Sequence, residues 1–202
     1  MQSENIKYGT TPDEILGTGK YGYVFKGKLY GEINVAVKRV HLADIAKDNT
    51  EMSAFRDLNH ENILKLIHVE EEEKHMLYVF EFCAASLLEY CEGKYHGSMP
   101  DEIDALIQMA NGLHYIHSRD LIHNNLKPQN ILIPFDNPVQ LKLADFGYSP
   151  LHEPDSNWTV WTAPELHQTL QIIRNGRLYE QKNAATRASD TFALGTTCKE
   201  RW

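Results

Sequence analysis

Three glycines, Gly17, Gly19 and Gly22, are the first residues whose spacing could do chemistry, because they fit the pattern G-x-G-x-x-G-x-V that ends at Val24. Without a Cβ atom, glycine lets the backbone approach a polyphosphate closely and present its N–H groups to the phosphate oxygens. The same spacing marks dinucleotide-binding folds, in which the loop joins a strand to a helix. Here the glycines lie between two segments that read as strands, which disfavours the dinucleotide fold.

The segments that must position this loop predict a small β-sheet with one helix. The glycine pattern reads as strand, turn and strand, and Val35–Val40 reads as a third strand. Helix-forming residues run from about Ala43 to Asn59, and two further strands are expected at Ile63–Ile67 and Met76–Phe82. The acidic run 70–74 predicts a solvated hairpin tip between those two strands.

After this sheet the sequence pattern changes to helix. The segment 98–101 reads as a capped helix start. Short strands are expected around 131–133 and 141–143, and an apolar helix is expected to begin at Asp190. Apolar residues at helical spacing predict that the first long helix buries one stripe, formed by Ile103, Leu106, Ile107, Ala110, Leu113 and His117.

Composition narrows the class of protein. The 202 residues include 42% hydrophobic residues, enough for a buried core, and the formal net charge of -8 argues against a nucleic-acid-binding surface. No apolar run approaches membrane-spanning length, and the first five residues do not read as a signal peptide, so we expect a cytoplasmic or nuclear protein. Cys83, Cys91 and Cys198 lack metal-ligand spacing and fit a reducing compartment better than a disulfide framework.

Four further motifs follow the glycine pattern in order. Lys38 ends Val-Ala-Val-Lys, and residues 123–130 read His-Asn-Asn-Leu-Lys-Pro-Gln-Asn. Asp145 opens Asp-Phe-Gly, and Glu165 closes Ala-Pro-Glu. In this order and spacing the motifs resemble those of the protein kinase family, over about residues 15–195.

The resemblance implies an α+β, bilobal protein kinase fold. Residues 1–82 would form the small lobe, with five strands and one helix, and residues 83–202 would form a partial, helical large lobe. Lys127 in Leu-Lys-Pro is similar to the serine/threonine branch of the family. Gln129, with Trp161 before Ala-Pro-Glu, resembles the inositol-requiring-enzyme group of kinases.

The resemblance also implies that the chain binds ATP with Mg²⁺. Lys38 would hold the α- and β-phosphates, with Glu51 as the best candidate for the carboxylate that orients it. Asp145 would hold the Mg²⁺ that bridges the phosphates, and Asn130 would hold a second ion. The other nucleotide-contacting positions would be Leu16, Gly17, Gly19, Gly22, Val24, Ala36, Phe80, Glu81, Cys83 and Leu132.

The sequence departs from the family on the side that transfers phosphate. Asn125 stands where the family has its catalytic aspartate, and Asn124 stands where it has arginine. An amide has the shape of a carboxyl group but is neutral and a very poor base. Lys127 is the other candidate catalytic residue in this loop. Asn124 removes the arginine that would bind a phosphate on the family's activation loop, and Trp158 replaces a threonine that contacts the catalytic loop. We therefore do not expect control by phosphorylation of the activation loop.

The chain leaves the family pattern within the central helix of the large lobe, where we expect Phe192 and Leu194 to be exposed. Three functions remain open. The leading one is an ATP-binding protein of kinase fold with impaired transfer, acting through an unidentified protein partner. The alternatives are a working serine/threonine kinase of low rate that acts on a protein substrate, and an interaction fragment that binds no nucleotide.

Overall fold

We analyse the chain in a computed structural model that describes residues 5–19, 22–45, 57–145, 160–166 and 185–199. The predicted helix between Ala43 and Asn59 lies largely outside these ranges, as does Glu51. The described part of that segment begins with a 3-10 helix at Leu42–Asp44. Trp158 also lies outside the described residues.

The chain forms two compact units, one of Met1–Asn59 with Leu64–Cys83, the other of His60–Ile63 with Ala84–Trp202. The short segment His60–Ile63 belongs to the second unit because of Asn62, which is 1% exposed. Its side-chain amide donates to the Leu141 carbonyl at 3.1 Å, and its own carbonyl accepts from the Leu143 N–H at 2.9 Å.

The first unit is built on one antiparallel sheet of six strands. β1 and β2 both pair with β3 along the same edge, and β4, β6 and β5 follow on its other side. The sequence predicted five strands and missed β1, whose three residues are too few to show a period of two. The strands are β1 Ile6–Tyr8, β2 Ile15–Gly19, β3 Gly22–Leu29, β4 Ile33–His41, β5 Leu66–Glu72 and β6 His75–Glu81.

The apolar core of the first unit lies on one face of this sheet. Tyr8 and Phe25 pack there with ring centroids 5.5 Å apart, and the Tyr8 hydroxyl donates to the Glu72 carboxylate at 2.6 Å. Burial, together with this carboxylate, raises the pKa of Tyr8 to about 12. The core consists of Ile6, Tyr8, Phe25, Leu29, Val35, Val37, Leu77 and Val79.

The hairpin between β5 and β6 is tighter than predicted. The prediction placed a strand at Ile63–Ile67 and a solvated tip over residues 70–74. In the structure β5 extends through Glu72, so only Glu73 and Lys74 form the turn, and the prediction was wrong for Glu70–Glu72. Glu73 has a φ of 53°, which the turn requires, and the adjacent carboxylates lie along the strand.

Within its described residues, the second unit includes three helices that are given bounds below and a small sheet. In this sheet, antiparallel strands β7, β8 and β9 lie in that order. Its helices begin at side-chain caps, such as the reciprocal bonds between Ser86 and Glu89 at the first helix and the Asp101 carboxylate at the second. The elements are β7 Ala85–Ser86, α1 Leu87–Cys91, α2 Glu102–Ser118, β8 Ile131–Ile133, β9 Lys142–Leu143 and α3 Arg187–Lys199.

The buried face of α2 differs from the predicted stripe. Leu113 is buried as expected, but Ile103 is 70% exposed, and Leu106 and Ile107 are 46% and 50% exposed. The face is set by Gly112, where a Cβ atom would lie 2.7 Å from the Asn62 carbonyl oxygen, so only glycine permits this approach. The residues that α2 buries are Ala105, Met109, Gly112, Leu113 and Ile116.

The last helix starts earlier than predicted. α3 begins at Arg187, three residues before Asp190, because Thr186 and Ser189 cap it through reciprocal side-chain-to-backbone hydrogen bonds of 2.9 and 3.1 Å. Phe192 is 41% exposed, as expected, whereas Leu194 is 9% exposed and therefore buried, contrary to the prediction. In the part of the chain that the structure describes, no helix combines the length and the apolar content needed to span a bilayer.

Candidate functional site

A buried carboxyl group holds the amide-rich loop of the second unit in place. Asp190, in the first turn of α3, is 1% exposed. Its Oδ2 accepts from the His123 N–H at 2.8 Å, and its Oδ1 accepts from the Asn124 N–H at 2.8 Å. His117 on α2 adds a third contact, with its Nε2 atom 2.8 Å from Oδ2. A buried carboxyl group needs such partners, and here they fix the loop to two helices.

His123 is a neutral, packed member of this loop. Its side chain is fully buried, and burial lowers the pKa of its imidazole to about 4, although the nearby Asp190 and Asp145 carboxylates act in the opposite direction. Its Nδ1 atom accepts from the Asn125 N–H at 3.3 Å. Because Nδ1 is an acceptor, the imidazole proton lies on Nε2. His123 therefore shapes the backbone that presents Asn125.

Asn124 has a backbone conformation that suits its side chain. Its φ of 58° lies in the left-handed region, where asparagine is several-fold more common than most other residues. Its backbone N–H is one of the two that Asp190 accepts. The substitution at this position is therefore compatible with the loop conformation.

Asn125 directs its side-chain amide at Asp145. The Nδ2 atom donates to Oδ2 of Asp145 at 2.9 Å and to the Asp145 carbonyl oxygen at 3.2 Å. Both neighbours are acceptors, so the donor end of the amide must face them. Asp145 has a φ of 55°, which places its backbone in the left-handed region. The amide thus bonds both the backbone and the side chain of Asp145.

Asn130 completes a connected set of hydrogen bonds. Its Nδ2 atom donates to the Asn125 carbonyl at 2.7 Å, and its own carbonyl accepts from the Ala144 N–H at 2.9 Å, one residue before Asp145. The 3-10 helix Pro128–Asn130, which starts with proline, presents this side chain just before β8. The structure therefore brings together three residues singled out in the sequence: Asn125, Asn130 and Asp145.

The side-chain oxygens of this site fit a hard cation that takes its remaining ligands from a phosphate. The donor end of the Asn130 amide is used by the Asn125 carbonyl, so Oδ1 is the atom of this side chain that could ligate a cation. Among the described residues, no cluster of three or more His, Cys, Asp or Glu side chains could hold a metal ion. One carboxylate with an amide matches Mg²⁺ bound partly through phosphate oxygens.

Lys127, the other catalytic candidate of the loop, contributes through its backbone. Its carbonyl accepts from the Asn130 N–H at 2.9 Å, and its side chain is half-buried. It caps the short Pro128–Asn130 helix without a side-chain bond to it. Lys127 thus lies two residues from Asn125 and directly before the turn that positions Asn130.

In the first unit, the glycine pattern forms the β2–β3 hairpin. Gly17 pairs with Val24, and Gly19 pairs with Gly22. Gly22 has a φ of 150°, and a Cβ atom there would overlap the Arg39 carbonyl oxygen, so the fold requires glycine. At Gly17 an added Cβ would meet nothing within 4 Å, so packing does not explain that glycine.

Four predicted nucleotide-contacting residues share one sheet face. Lys38 lies opposite Val24 on β3, and Ala36 lies opposite Phe80 on β6. Since directly paired residues of antiparallel strands point to the same side, all four side chains lie on the face away from the apolar core that contains Val37. The structure therefore brings Val24, Ala36, Lys38 and Phe80 together.

The remaining predicted positions are spread over β2, the end of β6, the last residue of the first unit and β8. Leu16 on β2 is 49% exposed. Glu81 ends β6, with its N–H donating to the Lys65 carbonyl at 3.1 Å and its carboxylate accepting from the Lys65 N–H at 2.7 Å. Cys83 is the last residue of the first unit, and Leu132 is half-buried on β8 of the second.

Sequence reasoning missed two residues that support the site. His117 was expected only as part of the buried stripe of the first long helix, but its side chain contacts Asp190, 73 positions away. Asn62 was not singled out, although it anchors Leu141 and Leu143 beside Asp145. Both contacts join distant segments, and no local spacing reports such a pairing.

Comparison with known proteins agrees with this arrangement. The family model described as the protein kinase domain matches residues 10–201. The chain is 30% identical over 203 residues, 93% of its length, to the membrane-associated tyrosine- and threonine-specific cdc2-inhibitory kinase of Caenorhabditis elegans. It is 32% identical over 222 residues, 98% of its length, to a protein of Acanthamoeba polyphaga mimivirus described as a serine/threonine-protein kinase/receptor. It spans 27% and 12% of the lengths of these relatives.

Proposed function

Since the chain belongs to the protein kinase family, we propose that it is an ATP-binding kinase domain in which phosphoryl transfer is impaired. The observation that carries this proposal is the side-chain amide of Asn125, which donates to the Asp145 carboxylate at 2.9 Å. Asn125 occupies the position where the family places its base. A neutral amide cannot take up the hydroxyl proton of a substrate. The acceptor protein is unidentified, and we propose a reducing, cytoplasmic or nuclear setting.

The nucleotide-binding part of the proposal is supported by the first unit. The shared face of Val24, Ala36, Lys38 and Phe80 offers apolar contacts for the adenine ring of ATP and a positive charge for its phosphates. The open position at Gly17 leaves room for a phosphate to approach the hairpin backbone. Lys38 would act as the phosphate-binding residue.

The metal-binding part is supported by the second unit. Asp145 and Asn130 would hold Mg²⁺, which would supply charge neutralisation for the phosphate oxygens. Asn125 orients Asp145, and the Asn125 carbonyl orients Asn130. The described residues would therefore position phosphate and metal ligands, while the position of the family's base carries the neutral Asn125 amide.

The size of the impairment follows from the missing base. General-base catalysis contributes about 10²- to 10⁴-fold in rate. Phosphoryl transfer depends largely on positioning and charge neutralisation, which this chain keeps. The proposed protein is therefore a slow enzyme at most.

Nucleotide binding is tested by thermal unfolding with and without saturating MgATP. We expect stabilisation by on the order of 5 °C, because ligand at about 100 times its Kd contributes about 2.7 kcal/mol. Lys38→Ala should abolish the shift. Lys28→Ala is the matched control and should keep the shift. The Lys28 side chain is exposed, and its ammonium group donates to the Glu32 carbonyl. Absence of a shift in the wild type would contradict the proposal.

A second candidate function, a working serine/threonine kinase of low rate, is favoured by the ordered Asn130 and Asp145 positions. These two residues are bonded through Asn125 and Ala144 in a way that does not need a base. Transfer of labelled phosphate to a generic protein substrate, abolished in Asp145→Ala, would support this candidate.

A further inference from the structure

We propose that Asn125 is a positioning residue that holds Asp145 in place of a metal ion, and that it thereby lowers the dependence of nucleotide binding on divalent cations. This inference rests on the proposed function, since it concerns the same metal-phosphate site. It gives Asn125 a role of its own, beyond the loss of a base.

The geometry assigns both amide protons of Asn125 to one residue. Nδ2 donates to the Asp145 carboxylate at 2.9 Å and to the Asp145 carbonyl at 3.2 Å. Two bonds from one planar group fix the direction of the carboxylate relative to its own backbone. A carboxylate is usually oriented in this way by a cation or by several N–H donors.

The backbone of Asp145 benefits from such support. Its φ of 55° lies in the left-handed region, which aspartate adopts more often than most residues but still at a cost that neighbouring hydrogen bonds can offset. The Asn125 carbonyl is in turn fixed by the Asn130 amide at 2.7 Å, and His123 accepts from the Asn125 N–H at 3.3 Å. Asn125 is therefore itself held firmly and can act as a rigid donor to Asp145.

Asparagine and aspartate at position 125 predict opposite responses of the site to a metal ion. An aspartate at position 125 in the same rotamer would place a second negative oxygen about where Nδ2 now lies, 2.9 Å from the Asp145 carboxylate. Two carboxylates at that distance repel unless a proton or cation lies between them. Asparagine replaces this repulsion with attraction, and it removes one negative charge that would draw in a cation.

The first experiment uses the nucleotide-free chain and measures thermal unfolding in EDTA and in millimolar Mg²⁺. We expect Asn125→Asp to unfold at a lower temperature than wild type in EDTA and to regain stability with Mg²⁺. Asn125→Ala, which removes the donor without adding charge, should lose stability in EDTA and regain little. Asn111→Asp, on the exposed face of α2, carries the same added charge and should behave like wild type.

The second experiment measures the Kd of a fluorescent ATP analogue by titration in EDTA and in Mg²⁺. We expect the Kd in EDTA divided by the Kd in Mg²⁺ to be about tenfold larger in Asn125→Asp than in wild type or Asn111→Asp. This corresponds to a difference of about 1.4 kcal/mol in binding free energy. Equal ratios in all three proteins would overturn the inference. So would equal stability of Asn125→Asp and Asn111→Asp in nucleotide-free EDTA samples.

The two arms separate this inference from the proposed function. If no variant binds the analogue in either condition, the proposed nucleotide binding fails. The nucleotide-free arm then still decides whether Asn125 positions Asp145, because it reads only protein stability and its response to Mg²⁺.

Discussion

The two units of this kinase domain build their functional positions in opposite ways. In the first unit the apolar core lies on one face of the sheet, and Lys38 lies on the other. In the second unit the site residues are themselves the buried structure, since His123 and Asp190 are 0% and 1% exposed. Side chains on the face that carries Lys38 can therefore change with little effect on folding, whereas changes at the buried His123 and Asp190 should affect stability.

This difference bears on the two positions at which we propose a departure from the family, Asn124 and Asn125. Both are half-buried residues whose backbone N–H groups are bonded to Asp190 and His123. Asparagine at each position is compatible with a conformation or a hydrogen bond that the loop uses. The proposed loss of a base therefore leaves the contacts that maintain the shape of the loop in place.

The largest effect is expected at the anchor of the second unit. Asp190→Ala leaves two backbone N–H groups and His117 without their common partner, so we expect a loss of about 3–5 kcal/mol in the free energy of unfolding. Urea denaturation measures it. Asp136→Ala removes an exposed carboxylate and should change stability by less than about 0.5 kcal/mol. Comparable losses in the two variants would contradict the buried anchor.

Gly22 and Gly17, both in the first unit, give the next largest contrast. Gly22→Ala places a Cβ atom against the Arg39 carbonyl at a φ of 150°, so we expect a loss of about 3 kcal/mol. Gly17→Ala has open space and should change stability by less than about 0.5 kcal/mol, while weakening nucleotide binding. Thermal unfolding with and without MgATP separates the two. Similar stability losses would mean that Gly17 is structural as well.

The buried imidazole predicts a smaller, pH-dependent effect. Burial lowers the pKa of His123 to about 4 in the folded protein, from 6.5 in its ordinary state. The unfolded chain binds more protons between these values, so stability is full above about pH 6.5 and falls as the pH drops towards 4. The loss between pH 7.5 and pH 5 should be about 2 kcal/mol from this group.

This slope is measured by urea denaturation across that pH range. His123→Gln should show a shallower pH dependence than wild type, whatever its absolute stability. His96→Gln, at an exposed position, should leave the slope unchanged. An unchanged slope in His123→Gln would show that other groups dominate the acid response.

How much of this could be read from the sequence depended on distance along the chain. The glycine hairpin, the Lys38 strand and the helix that carries Asp190 were predicted because each is a local motif. The buried face of α2 was wrong because two apolar stripes overlap on that helix, and only the approach of Gly112 to Asn62 selects one. Likewise, nothing near Asn125 indicates that its amide meets Asp145, twenty residues away.

The central claim, that this domain keeps its nucleotide-binding positions but lacks a base for transfer, is tested most directly by ADP release at saturating MgATP with a generic protein substrate. The measurement compares wild type with Asn125→Asp, using Asp145→Ala as the background. The account predicts that Asn125→Asp is faster than wild type by a factor within about 10²–10⁴. A wild-type rate equal to or above that of Asn125→Asp would contradict it.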